Sequence, residues 1–280
     1  MKTKILSALA AFSSVFFLSS CSEKPQDGQI ENPVINFETY NVGATYCLLN
    51  TAELFGQEHD ITYSDSLSVV LPTRIYDNDI SALRERILSE VLGINNVTDI
   101  RSATKKSFEN TVSQLGYQYR RVPAQNENPR GFSYTSGFVV YLNSDIIVYC
   151  VSNDSFMPGA AHGMPSKLYI NYWISSGKTG KILSLKDLFT SKGLKELPDM
   201  IAERAQTMSD LIGPTSVEGL PENDNFFISS EGQIVFVYQP LEIASYAQGF
   251  INVTFDPYEL LGQMTPYAIE LFGLSDLEEY

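Results

Sequence analysis

Residues 226–239 have the sequence FFISSEGQIVFVYQ, which is typical of two β-strands joined by a tight turn. Residues 226–229 and 233–239 are rich in aromatic and β-branched side chains, and the Ser-Glu-Gly between them is turn-forming. The same pattern occurs upstream, where residues 132–142 and 146–151 flank an Asn-Ser-Asp turn. Two such hairpins predict an antiparallel sheet.

Strands and helices alternate through the rest of the chain. Further strands are predicted at 39–49, 59–71, 167–174 and 252–255. Apolar residues at helical spacing predict helices at 77–92, 106–119 and 193–211, the first of them ended by Gly93. Ser184 and Asp187 have the spacing of a capping box. The sequence therefore predicts an α+β fold, with a largely antiparallel sheet, interleaved helices and a body in two parts.

The first twenty residues have the pattern of a signal peptide. Lys2 and Lys4 precede an apolar run at 5–18, which is too short to span a bilayer comfortably. Small residues then lead to Cys21, in an arrangement that resembles the lipobox of bacterial lipoproteins. We expect cleavage before Cys21 and acylation of its thiol, which would anchor the chain in a membrane of the cell envelope, the outer membrane being the expected one.

Four segments follow from these patterns. Residues 1–20 are the predicted signal peptide, 21–33 a polar, flexible tether, 34–125 an N-terminal α+β domain and 132–280 a C-terminal α+β domain.

The chain is strongly acidic, with 33 acidic and 19 basic residues and a net charge of −14. Loss of the signal peptide would remove Lys2 and Lys4 but no acid, which makes the mature chain more acidic still. We expect no nucleic-acid partner, because no basic cluster is present to bind phosphates. An acidic surface favours cationic partners, although acidity also serves solubility alone.

Cys47 and Cys150 are the cysteines that follow Cys21, and both lie in apolar, strand-like segments. In an exported protein they can form a disulfide, or they can remain as two buried free thiols. His59 and His162 are far apart in sequence, and neither cysteine has a CxxC partner, so we expect no metal site. The sequence has no nucleophile elbow, H-E-x-x-H motif or P-loop, and we expect no cofactor.

The segment at 157–165, MPGAAHGMP, is framed by glycine and proline and contains one ionisable residue, His162. This histidine can act as an acid or a base, or its ring nitrogens can tie down the backbone of its own loop. Aromatic residues are frequent in the C-terminal third, where most are expected in the core and a few on a binding surface.

Three segments of the second half carry a family resemblance. They are the loop at 159–163, the run TGKILSLKDLF at 179–189 and the segment FVYQPLEIASYAQG at 236–249. In this order they resemble a bacterial extracellular domain of unknown function, found in the RsiV-type anti-sigma factor that senses lysozyme and beside peptidoglycan deacetylase domains. The resemblance covers roughly residues 134–265, and residues 34–125 resemble the usual partner domain more weakly.

The resemblance implies candidate binding residues at His162, Tyr238, Glu242 and Tyr246, and a lysozyme-type protein as the ligand. Three motifs depart from the family. Its Gly-Gly-Ala-His is Gly-Ala-Ala-His here, its Asp before the Thr-Gly turn is replaced by Ser176, and its Pro-Tyr-Glu-Ile-Ala-Pro-Tyr is Pro-Leu-Glu-Ile-Ala-Ser-Tyr. The anti-sigma factors also have a transmembrane helix, whereas no second apolar stretch of that length follows the signal peptide here.

Three functional hypotheses remain. The first is a non-enzymatic binding lipoprotein of the cell envelope that recognises a cationic protein such as a lysozyme, or a peptidoglycan fragment. The second is a hydrolase acting on cell-wall material with His162 in its site, which needs a carboxylate or hydroxyl near that ring. The third is a purely structural component of the envelope.

Overall fold

The computed structural model describes residues 35–123, 130–174, 180–208 and 224–275. The predicted signal peptide, Cys21 and the tether at 21–33 lie outside the described residues. No helix among the described residues is long and apolar enough to cross a membrane.

A seven-stranded sheet forms the centre of the described chain. Its strands are β1 (Ile35–Leu48), β2 (Thr62–Ile75), β3 (Tyr119–Val122), β4 (Gly131–Leu142), β5 (Ile146–Phe156), β6 (Ser166–Trp173) and β7 (Lys181–Ile182). They lie in the order β3-β1-β2-β4-β5-β6-β7, and every neighbouring pair is antiparallel except β2 and β4. The predicted α+β class with a largely antiparallel sheet is confirmed.

The two predicted domains contribute neighbouring strands to this sheet. β2 belongs to the predicted N-terminal domain and β4 to the C-terminal one, and they pair from Tyr63↔Gly131 to Val69↔Gly137. The division into two domains stays a prediction, but a continuous hydrogen-bonded sheet crosses it.

Helices α1 (Ser81–Leu92) and α2 (Ile100–Gln114) pack on one face of the sheet. Gly93 ends α1 as predicted, in the left-handed conformation with φ 63°. The second helix begins earlier than predicted because Asp99 caps it: its carboxylate accepts hydrogen bonds from the backbone N–H groups of Arg101 and Ser102.

The opposite face carries the C-terminal elements. These are α3 (Leu185–Leu188), α4 (Ser191–Thr207), a second sheet of β8 (Phe226–Ile228), β9 (Ile234–Tyr238) and β10 (Ile251–Phe255), two 3₁₀ helices (Tyr246–Gln248 and Pro257–Gln263) and α5 (Pro266–Leu271). The predicted hairpin at 226–239 is β8 and β9, and the predicted capping box of Ser184 and Asp187 begins α3.

Strand β5 contributes side chains to two hydrophobic cores, one on each face of the sheet. Ile147, Tyr149 and Val151 belong to the core under α1 and α2, whereas Ile146 and Val148 belong to the core shared with the small sheet. Successive strand residues point to opposite faces, so a strand covered on both sides is apolar throughout, as β5 is from Ile146 to Val151.

Of the two alternatives for Cys47 and Cys150, the structure has the free thiols and not the disulfide. Cys47 lies on β1 and Cys150 on β5, with β2 and β4 between them in the sheet. Neighbouring strands are about 4.8 Å apart, so this separation far exceeds the reach of a disulfide, whose Cα atoms lie within roughly 7 Å. Burial raises the pKa of the Cys150 thiol to about 11, which leaves it unreactive near neutral pH.

Candidate functional site

The loop at 157–165 connects β5 to β6 and carries His162. Gly159 takes φ 84°, a conformation that suits glycine, and it lies against the ring of Phe55. The backbone N–H of Met164 donates to the carbonyl of Ser155, which closes the loop. His162 Nδ1 donates to the carbonyl of Gly163 at 2.9 Å, so the expected bond between the ring and the loop backbone is present.

The loop at 239–250 connects β9 to β10. It begins with a clamp: the side-chain amide of Gln239 accepts from the backbone N–H of Lys167 and donates to its carbonyl, at 2.9 and 2.8 Å. The Lys167 ammonium lies 4.6 Å from the ring centre of Phe250, at the other end of the loop. Because Lys167 directly follows the first loop in β6, these contacts bring the two loops side by side.

The two loops are in contact through a stacked pair of rings, His162 and Tyr246. The centroids of His162 and Tyr246 are 3.9 Å apart, and their planes are inclined by 25°. We call residues 157–165 and 239–250 the loop pair. Met157, Met164 and Leu241 of this pair keep apolar side chains exposed, the latter two by 51% and 54%. The loop pair is therefore an apolar surface organised around a stacked histidine and tyrosine.

Glu242 lies in the same turn as Leu241 and is exposed. Its carboxylate accepts a hydrogen bond from the backbone N–H of Gln239 at 2.6 Å, while its own N–H donates to the Gln239 carbonyl. Leu241 takes φ 70°, which is unusual for a residue with a branched side chain. Glu242 thus holds the strained turn and presents a negative charge beside the exposed Leu241.

The structure places two of the candidate binding residues at different depths. Tyr238 is 1% exposed, in the core between the sheets. His162 is exposed at the surface. Within the described residues, the hydrogen bond of the His162 ring is to the Gly163 carbonyl, and it has no hydrogen bond or ion pair to a carboxylate.

A second feature, which the sequence did not reveal, lies beside the loop pair. A cavity of about 540 Å³ opens on the α1–α2 face of the main sheet, and Met157, Lys167 and Gln239 contribute to its rim. Its floor contains Asp65, a β2 residue that is 3% exposed. We call it the Asp65 cavity.

Strand register assembles the polar floor of the Asp65 cavity. Asp65 pairs with Ser133 and Ser133 with Ser155, in a row across β2, β4 and β5. The next row on the same face consists of Thr135, Asn153 and Ser166. The Asn153 amide joins the rows by donating to the hydroxyls of Ser133 and Thr135 at 3.2 and 3.0 Å.

The carboxyl of Asp65 is in an unfavourable electrostatic environment. Desolvation raises its pKa to about 7, opposed by the nearby hydroxyls of Thr111 and Ser133 and the backbone N–H of Ser66. Its Oδ2 atom is buried without a hydrogen-bond partner among the described residues. A signal for this residue was present in the sequence: Tyr63, Asp65, Leu67 and Val69 alternate along β2, so Asp65 occupies a core-facing position.

The described residues contain no group of three or more histidine, cysteine or acidic side chains that could hold a metal ion. This agrees with the composition of both surfaces, since the loop pair is mainly apolar and the cavity floor consists mainly of hydroxyls and one amide.

Comparisons with known proteins give a match to a family model over part of the chain and a similarity to solved structures. No curated protein is significantly similar in sequence. The structure is similar to a crystal structure of a DUF3298-family member from Bacteroides fragilis, with a TM-score of 0.60, 16% identity and coverage of 86% of this chain and 97% of that one. A DUF3298-family protein from Pseudomonas aeruginosa has a TM-score of 0.49 at 16% identity, covering 83% of this chain and 96% of that one. Residues 186–259 match the DUF3298 family, described as a protein of unknown function, within a chain that shares the fold of a solved member.

Proposed function

We propose that this protein is a non-enzymatic binding module of the cell envelope, and that the loop pair contacts a cationic protein. One observation carries the proposal. Two loops distant in sequence are locked together by the His162–Tyr246 stack and the Gln239 clamp, yet Met157, Met164 and Leu241 around them stay exposed. Rigid aromatic anchors bordered by adaptable apolar side chains are the usual centre of a protein interface.

Charge favours a basic partner. The chain has a net charge of −14, and Glu242 places a carboxylate beside the exposed Leu241. Attraction of this kind raises association rates and disfavours acidic partners, but it does not itself provide recognition. The resemblance of residues 134–265 to the lysozyme-sensing domain supplies a concrete candidate, a lysozyme-type muramidase, which is typically basic.

The cellular location belongs to the same proposal. Cleavage before Cys21 and acylation of its thiol would attach the binding module to an envelope membrane, the outer membrane in our proposal, through the polar tether at 21–33. Mass spectrometry of the mature N-terminus tests this step. A mature chain that begins at any other residue, or at an unmodified Cys21, contradicts it.

The partner is tested by titrating the purified protein with a lysozyme at low and near-physiological salt. The Debye length is about 8 Å at physiological ionic strength, so salt weakens the non-specific electrostatic attraction between the acidic protein and a basic one. Specific recognition predicts that lysozyme binding persists, while binding of an equally basic, unrelated protein is lost.

Variants locate the contact surface. Tyr246→Ala removes the aromatic anchor and is expected to weaken lysozyme binding by at least about tenfold. Tyr258→Ala is the matched control, because Tyr258 is an exposed tyrosine outside the loop pair, and affinity should be unchanged. Equal effects of both variants would refute the loop pair as the interface. Capture of peptidoglycan fragments in place of the basic protein would refute a protein ligand.

A further inference from the structure

The Asp65 cavity borders the loop pair and shares Met157, Lys167 and Gln239 with it, but its polar residues come from the main sheet, and they depart from the rest of that sheet face. The sheet face beneath α1 and α2 is apolar around Leu71, Ile147 and Tyr149. At one end of the same face, the paired strands instead carry two rows of hydroxyl, amide and carboxyl groups. The polar groups are thus contiguous across four strands and form one polar surface.

We propose that the Asp65 cavity binds a neutral, polyhydroxylated small molecule the size of one or two sugar rings. This inference is independent of the protein interface proposed above.

Hydrogen bonding is the first argument. Asp65 Oδ2 is an acceptor enclosed by protein without a donor from the described residues. An acceptor in that state is costly. Because this oxygen has almost no accessible surface, a ligand hydroxyl would reach it as the neighbouring side chains adjust, and would then satisfy it with a charge-assisted bond. Around it, the side chains of Ser133, Thr135 and Asn153 can both donate and accept. Such a set matches a ligand that offers several hydroxyl groups, each of which also donates and accepts.

Size and shape are the second argument. At about 540 Å³ the cavity lies within the range of roughly 300–1,000 Å³ usual for small-molecule sites. Its walls include Leu67, Phe108 and Leu168, which offer apolar surface to the C–H face of a sugar ring. A polar floor with apolar walls suits a ring that has hydroxyls at its edge and carbon at its faces.

Charge is the third argument, because it disfavours ionic ligands. Three acidic or basic side chains among the described residues contribute to the lining: Asp65, Glu90 and Lys167. Glu90 is paired with Arg86 at 3.0 Å, and the Lys167 ammonium lies over Phe250. An anionic ligand would face the Asp65 carboxylate, and a cationic ligand would meet Lys167 in the same lining.

Calorimetric titration and saturation-transfer NMR at about pH 8, where Asp65 is ionised, test the proposal. The probes are glucose, N-acetylglucosamine and maltose, with putrescine and inorganic phosphate as charged comparisons. We expect at least one sugar to bind and neither charged probe to do so. Binding of putrescine or phosphate without any sugar, or no binding by any probe, overturns the proposal.

Variants place the ligand in the cavity. Asp65→Asn keeps the shape and removes the charge, and is expected to weaken sugar binding by at least about tenfold. Ser166→Trp adds bulk at an exposed position of the cavity lining and should block binding while the protein remains folded. Tyr246→Ala alters the loop pair and should leave sugar affinity unchanged. Sugar binding that survives both Asp65→Asn and Ser166→Trp overturns the assignment to this cavity.

Discussion

Replacing Asp65 by asparagine should change how the stability of the protein depends on pH. The folded state holds the pKa of this carboxyl at about 7, whereas an aspartate in the unfolded chain titrates at an ordinary value near 3.8. Below both values the side chain is neutral in either state and costs no ionisation energy. As the pH rises from about 4 to about 7, the unfolded chain releases a proton that the folded protein retains, so the stability falls.

The size of this effect follows from the difference in pKa. Each pKa unit corresponds to about 1.4 kcal/mol, so a difference of roughly three units makes the ionised wild type about 4 kcal/mol less stable than it would be without this group. Asparagine has the same shape and no charge. Any cost of orienting its amide among the neighbouring hydroxyls is independent of pH. The free energy of unfolding of Asp65→Asn relative to wild type should therefore increase by about 3 kcal/mol between pH 4.5 and pH 8.

Urea denaturation of both proteins across this pH range measures the difference. Asp99→Asn is the matched control, since Asp99 is an exposed N-cap whose pKa is lowered, first by the hydroxyl of Ser102 and then by backbone N–H groups. The contribution of the Asp99 carboxylate to stability is fully present above its pKa in the unfolded chain and is lost only at lower pH. Asparagine is also a good N-cap, so the helix start is kept. This control should run parallel to wild type from pH 5 to pH 8. Equal pH profiles for wild type and Asp65→Asn would refute the buried, neutral carboxyl.

Three further substitutions test the packing of the fold. Asn171→Leu should reduce the free energy of unfolding by about 2–4 kcal/mol in urea titrations. The buried Asn171 amide donates to the carbonyl of Phe226 and accepts from the N–H of Ile228, and leucine would leave both backbone groups without this partner. Gly137→Ala should lower the free energy of unfolding by about 1–3 kcal/mol, since the new methyl group would overlap the hydroxyl of Tyr149. Adding Tyr149→Phe should recover most of this loss in a double-mutant cycle. His162→Ala should change the melting temperature little, by the equivalent of about 1 kcal/mol or less, because the exposed ring contributes mainly one stacking contact. A drop as large as that of Asn171→Leu would contradict the exposed position of His162.

Periodicity predicted most of the strands and one helix end correctly, because these features depend on residues close together in sequence. The two hairpins are set by turn residues between apolar strands, and Gly93 ends α1 through its own backbone conformation. The start of α2 was misplaced by several residues, since the apolar pattern of that helix is weak and the Asp99 cap decides where it begins. The parallel pairing of β2 with β4 was not predicted, because it joins strands separated by two helices.

The candidate site was only partly predictable for the same reason. His162 and Tyr246 were each selected from the sequence, but their stacking depends on the Gln239 clamp, in which a side chain at the end of β9 binds the backbone of β6. Tyr238 and Tyr246 looked equivalent as aromatic residues of one segment. Strand alternation buries Tyr238, whereas Tyr246 follows in a 3₁₀ turn at the surface.

The position of Asp65 is unfavourable for stability, which supports the proposal that the polar end of the sheet binds a ligand. On the same face of β2, Leu67, Val69 and Leu71 are buried at no electrostatic cost. A valine at position 65 would remove the desolvation of the carboxyl, and strand geometry would accept it. Strongly perturbed carboxyls that line cavities concentrate at functional sites, where a stable core is sacrificed for binding or chemistry.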